Sequence, residues 1–137
     1  MRMRTGIVSF SAVVMLALLV IPAALFFSTG QREAAFEDPA RLQRLVAEGK
    51  PAYFLVDVRT PAEYASGHIP TALNIPVTDI GDRPPTDNRA ALIIVYCRSG
   101  ARSSAAKAAL ERLGYRRVVD FGAVSRWRGE LVMGDQP

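Results

Sequence analysis

An apolar run, Ala91-Leu92-Ile93-Ile94-Val95-Tyr96, ends in the only cysteine of the chain, Cys97. Arg98-Ser99-Gly100-Ala101-Arg102 follow, and then an alanine-rich stretch of helical character. Where a strand turns through a tight loop into a helix, the first backbone N–H groups of the helix lack partners. They point into the loop and carry partial positive charge. Arg98 and Arg102 add full charge. A thiol in such a place ionises more readily than a free one, and the thiolate is the nucleophilic form. Cys97 is therefore the candidate nucleophile, and Arg98, Ser99, Gly100, Ala101 and Arg102 form the candidate anion-binding loop. Gly100 supplies the positive φ that closes the loop. Ser99 and Ser103 offer hydroxyls to the sulfur, although Ser103 reads equally as an ordinary first-turn residue. Arg102 has two roles open to it, orienting an anion or locking the loop to the body of the domain. Against this stands the ordinary reading of a lone cysteine as a small buried residue ending a strand.

The elements that would hold this loop can be read along the chain. Asp38 is a candidate N-cap with Pro39 at the first helical position. Leu42, Leu45 and Val46 then share one helical face, and Gly49 ends the helix. Tyr53 to Val56 is β-prone and leads into Asp57-Val58-Arg59. Thr60-Pro61-Ala62-Glu63 is a capping box that opens a short helix closed by Gly67. Ala72 to Ile75 is a short strand, and residues 81–90 read as a surface loop. The run from Ala91 to Tyr96 lacks alternation, as a strand covered on both faces does. Ala106, Ala109, Leu110 and Leu113 repeat at helical spacing before Gly114. Arg117 to Asp120 is one more strand, and Gly122 to Leu131 is expected to be a last short helix carrying Trp127. Strands alternating with helices imply a three-layer α/β domain. Asp57 and Arg59 fall at the C-terminal end of their strand, the edge where open α/β sheets hold their ligands.

The first 30 residues do not read as part of that domain. Met1-Arg2-Met3-Arg4 is a short basic start, and Ile7 to Phe27 is uncharged. That length suffices to span a bilayer as a helix, with the arginines holding its N-terminal end in the cytoplasm. Ser28-Thr29-Gly30 also suits a cleaved signal peptide. The expectation is an anchor or signal over 1–30, a linker over 31–36 and a domain over 37–137 on the extracytoplasmic, periplasmic side. The formal charge is +4. Once Arg2 and Arg4 are set aside, 15 basic residues face 13 acidic ones, too mild a balance for nucleic acid. Arg116, Arg117, Arg126 and Arg128 read as solvated surface, and Trp127 as core or pocket wall. A single cysteine excludes an internal disulfide and a cysteine-based zinc cluster.

Four stretches in this order and spacing resemble a single rhodanese-like domain over roughly residues 37–130. They are Asp57-Val58-Arg59 with Glu63-Tyr64 and Gly67-His68-Ile69-Pro70; Ala72 to Pro76; Ile94 to Cys97 with Gly100 and Arg102-Ser103; and Leu113-Gly114-Tyr115, Val118 and Gly122 to Trp127. The resemblance implies a mainly parallel sheet of four or five strands with helices on both faces. It implies sulfur transfer through a Cys97 persulfide, from a small anionic donor such as thiosulfate to a thiol, protein or cyanide-like acceptor, without metal or organic cofactor. A persulfide carrier and a non-catalytic binding domain are the alternatives. Related phosphatases and arsenate reductases have one more residue in the loop, and the four residues between Cys97 and Arg102 suit a single sulfur atom. The resemblance gives Asp57, Arg59 and His68 supporting roles. It places His68 in a turn, bonded to backbone or to Asp57. Thr71 stands where the family often has glycine, so the turn after Pro70 is expected to close without positive φ. Gly122-Ala123 stands where a Gly-Gly pair is common.

Overall fold

The structure, a computed structural model, describes residues 35–49 and 53–137. The apolar stretch from Ile7 to Phe27 and most of the linker lie outside the described residues. A 3₁₀ turn (Ala35–Glu37) precedes helix α1 (Pro39–Glu48). Strand β1 (Tyr53–Asp57), helix α2 (Pro61–Ala65), strand β2 (Leu73–Asn74), strand β3 (Leu92–Cys97), helix α3 (Ala101–Arg112) and strand β4 (Arg117–Ala123) follow. Among the described residues the sheet has four strands in the order β2-β1-β3-β4, all parallel.

Parallel pairing puts the ends Asp57, Asn74, Cys97 and Ala123 at one edge of the sheet. The central strand β3 is buried throughout, and its pleat splits the core in two. Leu92, Ile94 and Tyr96 join Leu42 of α1 and Tyr64 of α2 on one face. Ile93, Val95 and Cys97 join Ala106 and Leu110 of α3 on the other. Ile93, Ile94 and Val95 have no exposed surface, and burying each such side chain stabilises the fold by about 1.5–3 kcal/mol. The helix starts follow local chemistry. Asp38 accepts the Ala40 N–H at 3.1 Å, and Thr60 with Glu63 forms a complete capping box.

Three expectations are corrected. Strand β4 runs on to Ala123 because a bulge accommodates one extra residue. Val95 faces Asp120 but Tyr96 faces Gly122, with Gly122 at φ 85°. Consequently no helix spans Gly122–Leu131. Only Val124–Arg126 forms a 3₁₀ turn, and the chain beyond it is tied back by an antiparallel bridge between Val132 and His68. Trp127 is partly buried against the first core cluster, as a core or wall residue is.

The third correction is Thr71, which adopts φ 71°, the one non-glycine positive φ among the described residues. Its hydroxyl lies 2.9 Å from the Tyr53 hydroxyl, a bond that helps hold the left-handed turn. The left-handed region costs an L-residue about 1–2 kcal/mol. Glycine removes that strain but adds about 0.4–1 kcal/mol of unfolded-chain entropy and forgoes the hydroxyl bond. Thr71→Gly is thus expected to raise stability by about 0.5 kcal/mol, read as a higher urea midpoint. A lower midpoint would mean that the Tyr53 bond outweighs the strain.

Candidate active site

The loop is built by the junction of β3 and α3. Gly100 is the N-cap of α3 at φ 105° and offers no capping side chain, so the donors of the first turn need another acceptor. The Cys97 sulfur is that acceptor. The Gly100 N–H donates to Sγ at 3.0 Å, and the amides of Ser99 and Ser103 favour its charged form. Sγ lies 3.6 Å from Ser103 Oγ, and the Ser103 hydroxyl donates to the Gly100 carbonyl at 2.9 Å. The sulfur thus occupies the place of a capping group.

These donors outweigh the dry surroundings. Burial pushes the Cys97 thiol up, yet the Ser103 hydroxyl and the amides of Ser103, Gly100 and Ser99 bring it below its ordinary value. Cys97 has no exposed surface, although Arg98, Ser99 and Ala101 above it are exposed. A reagent therefore reaches Sγ only when this rim gives way. On the other side Gly100 packs against the β4 bulge, where a Cβ at Gly100 would sit 3.9 Å from Gly122 Cα.

The two arginines of the loop part company. Arg98 is exposed and has no carboxylate partner among the described residues. Arg102 turns to α2, where its Nη1 donates to Glu63 Oε2 at 2.7 Å and its Nη2 to Oε1 at 2.9 Å. Of the two roles open to Arg102, the lock is the one its geometry displays. The Arg102 bond, ahead of those from Thr60, holds the Glu63 carboxyl at about 2. A carboxyl lowered on folding contributes stability above its unfolded range near 4.5 and loses it as pH falls toward 2. The pair therefore stays closed at neutral pH.

Asp57 and Arg59 sit at the same sheet edge, engaged with each other. Arg59 Nη2 donates to Asp57 Oδ2 at 2.6 Å and to the Gly67 carbonyl at 2.7 Å, and Nε donates to Oδ1 at 2.9 Å. Asp57 is fully buried and Arg59 is 6% exposed. Tyr96, the residue before Cys97, lies beneath. Its hydroxyl accepts the Ile69 N–H at 3.0 Å. Burial and the Asp57 charge push this phenol well above its usual range.

His68 is buried in the turn after α2. Its Nδ1 lies 3.0 Å from the Tyr64 carbonyl, an acceptor, so Nδ1 carries the proton and donates. The ring stacks on Tyr64 at 3.7 Å, and Nε2 has no partner among the described residues. It bonds backbone, and no bond joins it to Asp57 or to the loop. The structure thus brings Cys97, Ser99, Gly100 and Ser103 into one cradle and leaves Asp57, Arg59 and His68 in the scaffold around it.

Two residues of this arrangement escaped the sequence reading as site residues. In sequence Glu63 reads as part of a helix cap and Tyr96 as the end of an apolar strand. Nothing local to Glu63 signals its partner, which stands 39 positions later in the chain. A polar tip next to the cysteine was the signal for Tyr96. An open groove of about 570 Å³, lined among others by Pro61, Tyr64, Leu73 and Pro84, lies apart from Cys97.

Known proteins resemble this chain. The Rhodanese profile, a rhodanese-like domain, matches residues 38–130. A sulfurtransferase from Allochromatium vinosum is 46% identical over 74 residues, covering 53% of this chain and 69% of that protein. A thiosulfate sulfurtransferase of Escherichia coli is 34% identical over 71 residues, covering 50% of this chain and 68% of that protein. The structure of an E. coli rhodanese with anions matches with a TM-score of 0.58 at 30% identity, covering 61% of this chain and 100% of that one. The parallel sheet, the loop that turns around Cys97 and a profile match across most of the chain place this protein in the rhodanese-like domain family.

Proposed function

We propose that the protein is a sulfurtransferase in which Cys97 carries the moving sulfur. The observation that supports this most directly is the set of donors converging on Sγ, led by the Gly100 N–H at 3.0 Å. Donors fixed on the sulfur favour the thiolate before reaction and stabilise the terminal anion of a persulfide afterwards. With thiosulfate as donor, the Cys97 thiolate attacks the outer sulfur. A new S–S bond forms to Cys97, the S–S bond of thiosulfate breaks, and sulfite leaves with the electron pair. A thiolate or cyanide acceptor then attacks the outer persulfide sulfur, and the Cys97 thiolate departs. Arg98 draws the anionic donor to the rim, while Ser99, Gly100, Ala101 and Arg102 shape the cradle. Ser103 orders it from below. Asp57, Arg59 and His68 hold the surrounding turns.

The names of the E. coli and A. vinosum relatives accord with this chemistry. The enclosed position of Cys97 favours a second reading, a persulfide carrier loaded and unloaded by a protein partner that opens the rim. Steady-state turnover with thiosulfate and cyanide separates the two, since a carrier takes up sulfur without turning over. The basic start and the uncharged stretch after it support an anchor or signal over 1–30, a linker over 31–36 and an exported domain over 37–137.

Mass spectrometry of the full chain tests both proposals. Incubation with thiosulfate is expected to add about 32 Da, one sulfur atom on the thiolate, with release of sulfite. An unchanged mass and no sulfite would sink the sulfur-transfer reading. Protein recovered from cells in the soluble cytoplasmic fraction at full-length mass would sink the leader.

A further inference from the structure

We propose that Glu63 is a positioning residue of this site, holding the first turn of α3 in place through Arg102; the proposal rests on the role given above to Cys97. The pair is fork on fork, with both terminal nitrogens of Arg102 on the two oxygens of Glu63 at 2.7 and 2.9 Å. Glu63 is itself fixed. Its Oε2 accepts from both the N–H and the hydroxyl of Thr60 at 3.1 Å. Helix α2 is pinned by buried Tyr64, whose hydroxyl donates to the Ala72 carbonyl at 2.6 Å. Arg102 stands two residues after Gly100, whose N–H donates to the sulfur, and one before Ser103, whose hydroxyl lies 3.6 Å from it. The turn that carries these groups is thereby bolted to an element 39 residues earlier.

The alternative role for Arg102 is to supply positive charge to the donor or to the thiolate. Its fork is already filled by a carboxylate, which offsets that charge and aims it toward α2. The pair is also about one-third exposed on each side, 33% and 29%. A pair so exposed contributes little to global stability. What it does supply is geometry, because two parallel bonds define an orientation that a point charge does not.

The two roles predict opposite signs. Glu63→Gln keeps an N3 side chain able to complete the capping box but weakens the grip on Arg102. Uncovering the Arg102 charge would by itself make the Cys97 thiol more acidic. Loosening the turn that carries the amides would make it less acidic. Arg102→Lys keeps the charge, loses the fork and leaves the α2 cap untouched.

The experiment measures iodoacetamide alkylation of Cys97 against pH, and persulfide formation with thiosulfate, in the full chain and both variants. In each variant the alkylation profile is expected to move to higher pH by about half a unit, a roughly threefold slower reaction at fixed pH below the midpoint. Persulfide formation slows with it. A profile of Glu63→Gln that stays put or moves to lower pH overturns the proposal, as does an Arg102→Lys protein that matches the parent in both assays. Should Glu63→Gln fail to fold, Arg102→Lys decides alone. Alkylation needs no sulfur donor. If the parent protein takes no sulfur from thiosulfate, the sulfur-transfer reading fails while the profiles still report whether Glu63 positions the cradle.

Discussion

Cys97→Ser is expected to abolish sulfur uptake from thiosulfate, by at least ~10³-fold, while the domain stays folded. The change replaces one atom. Gly100 N–H still finds an acceptor at the end of β3, and Ser103 still bonds the Gly100 carbonyl. The cost in stability is about 1 kcal/mol, the range for placing a bonded hydroxyl among buried apolar neighbours. The chemistry has no substitute. A serine hydroxyl keeps its proton at neutral pH, and the amides that favour a thiolate cannot strip it. The chain has no second cysteine to take over. The same mass measurement reads the result, with a urea melt beside it. A sulfur adduct on the serine protein would move the reactive atom away from residue 97.

Asp57→Ala is expected to cost about 3–5 kcal/mol, because it strands a buried cation. Arg59 is 6% exposed. Without Asp57 its guanidinium keeps the Gly67 carbonyl and the Tyr96 ring face 5.8 Å away, neither of which carries a full negative charge. The Arg59 N–H loses its acceptor as well. A domain of this size has roughly 5–15 kcal/mol of stability in total, so the variant stands near the edge of folding. Replacing both partners, as in Asp57→Leu with Arg59→Met, is expected to recover most of the loss, since it is the unpaired charge that destabilises. Urea titration of the single and double variants measures this. A single variant within 1 kcal/mol of the parent would show that water reaches Arg59.

Local patterns were the legible part of the sequence. Asp38 with Pro39, Thr60 with Glu63 and the unbroken run before Cys97 each mark an element within a few residues, and each formed as read. The loop chemistry was legible for the same reason, because Cys97, Gly100 and Ser103 lie within seven positions. What the sequence hid was long-range. Glu63 meets Arg102 across 39 positions. Tyr96 meets Ile69 across 27. Nothing local in either residue announces its partner. The local pattern ends β4 at Asp120 and opens a helix at Gly122, whereas the bulge uses Gly122 to carry the strand onward. Thr71 was expected to avoid the left-handed region, and the Tyr53 hydroxyl holds it there instead.

The seclusion of Cys97 has one more consequence, for how two copies of the chain meet in air. With no part of the residue at the surface, two folded molecules cannot bring their sulfurs close enough to join. A disulfide needs the two β-carbons within about 3.5–4.5 Å. Covalent dimers on a non-reducing gel would therefore count chains that have come open, so the domain's only thiol doubles as a built-in recorder of unfolding.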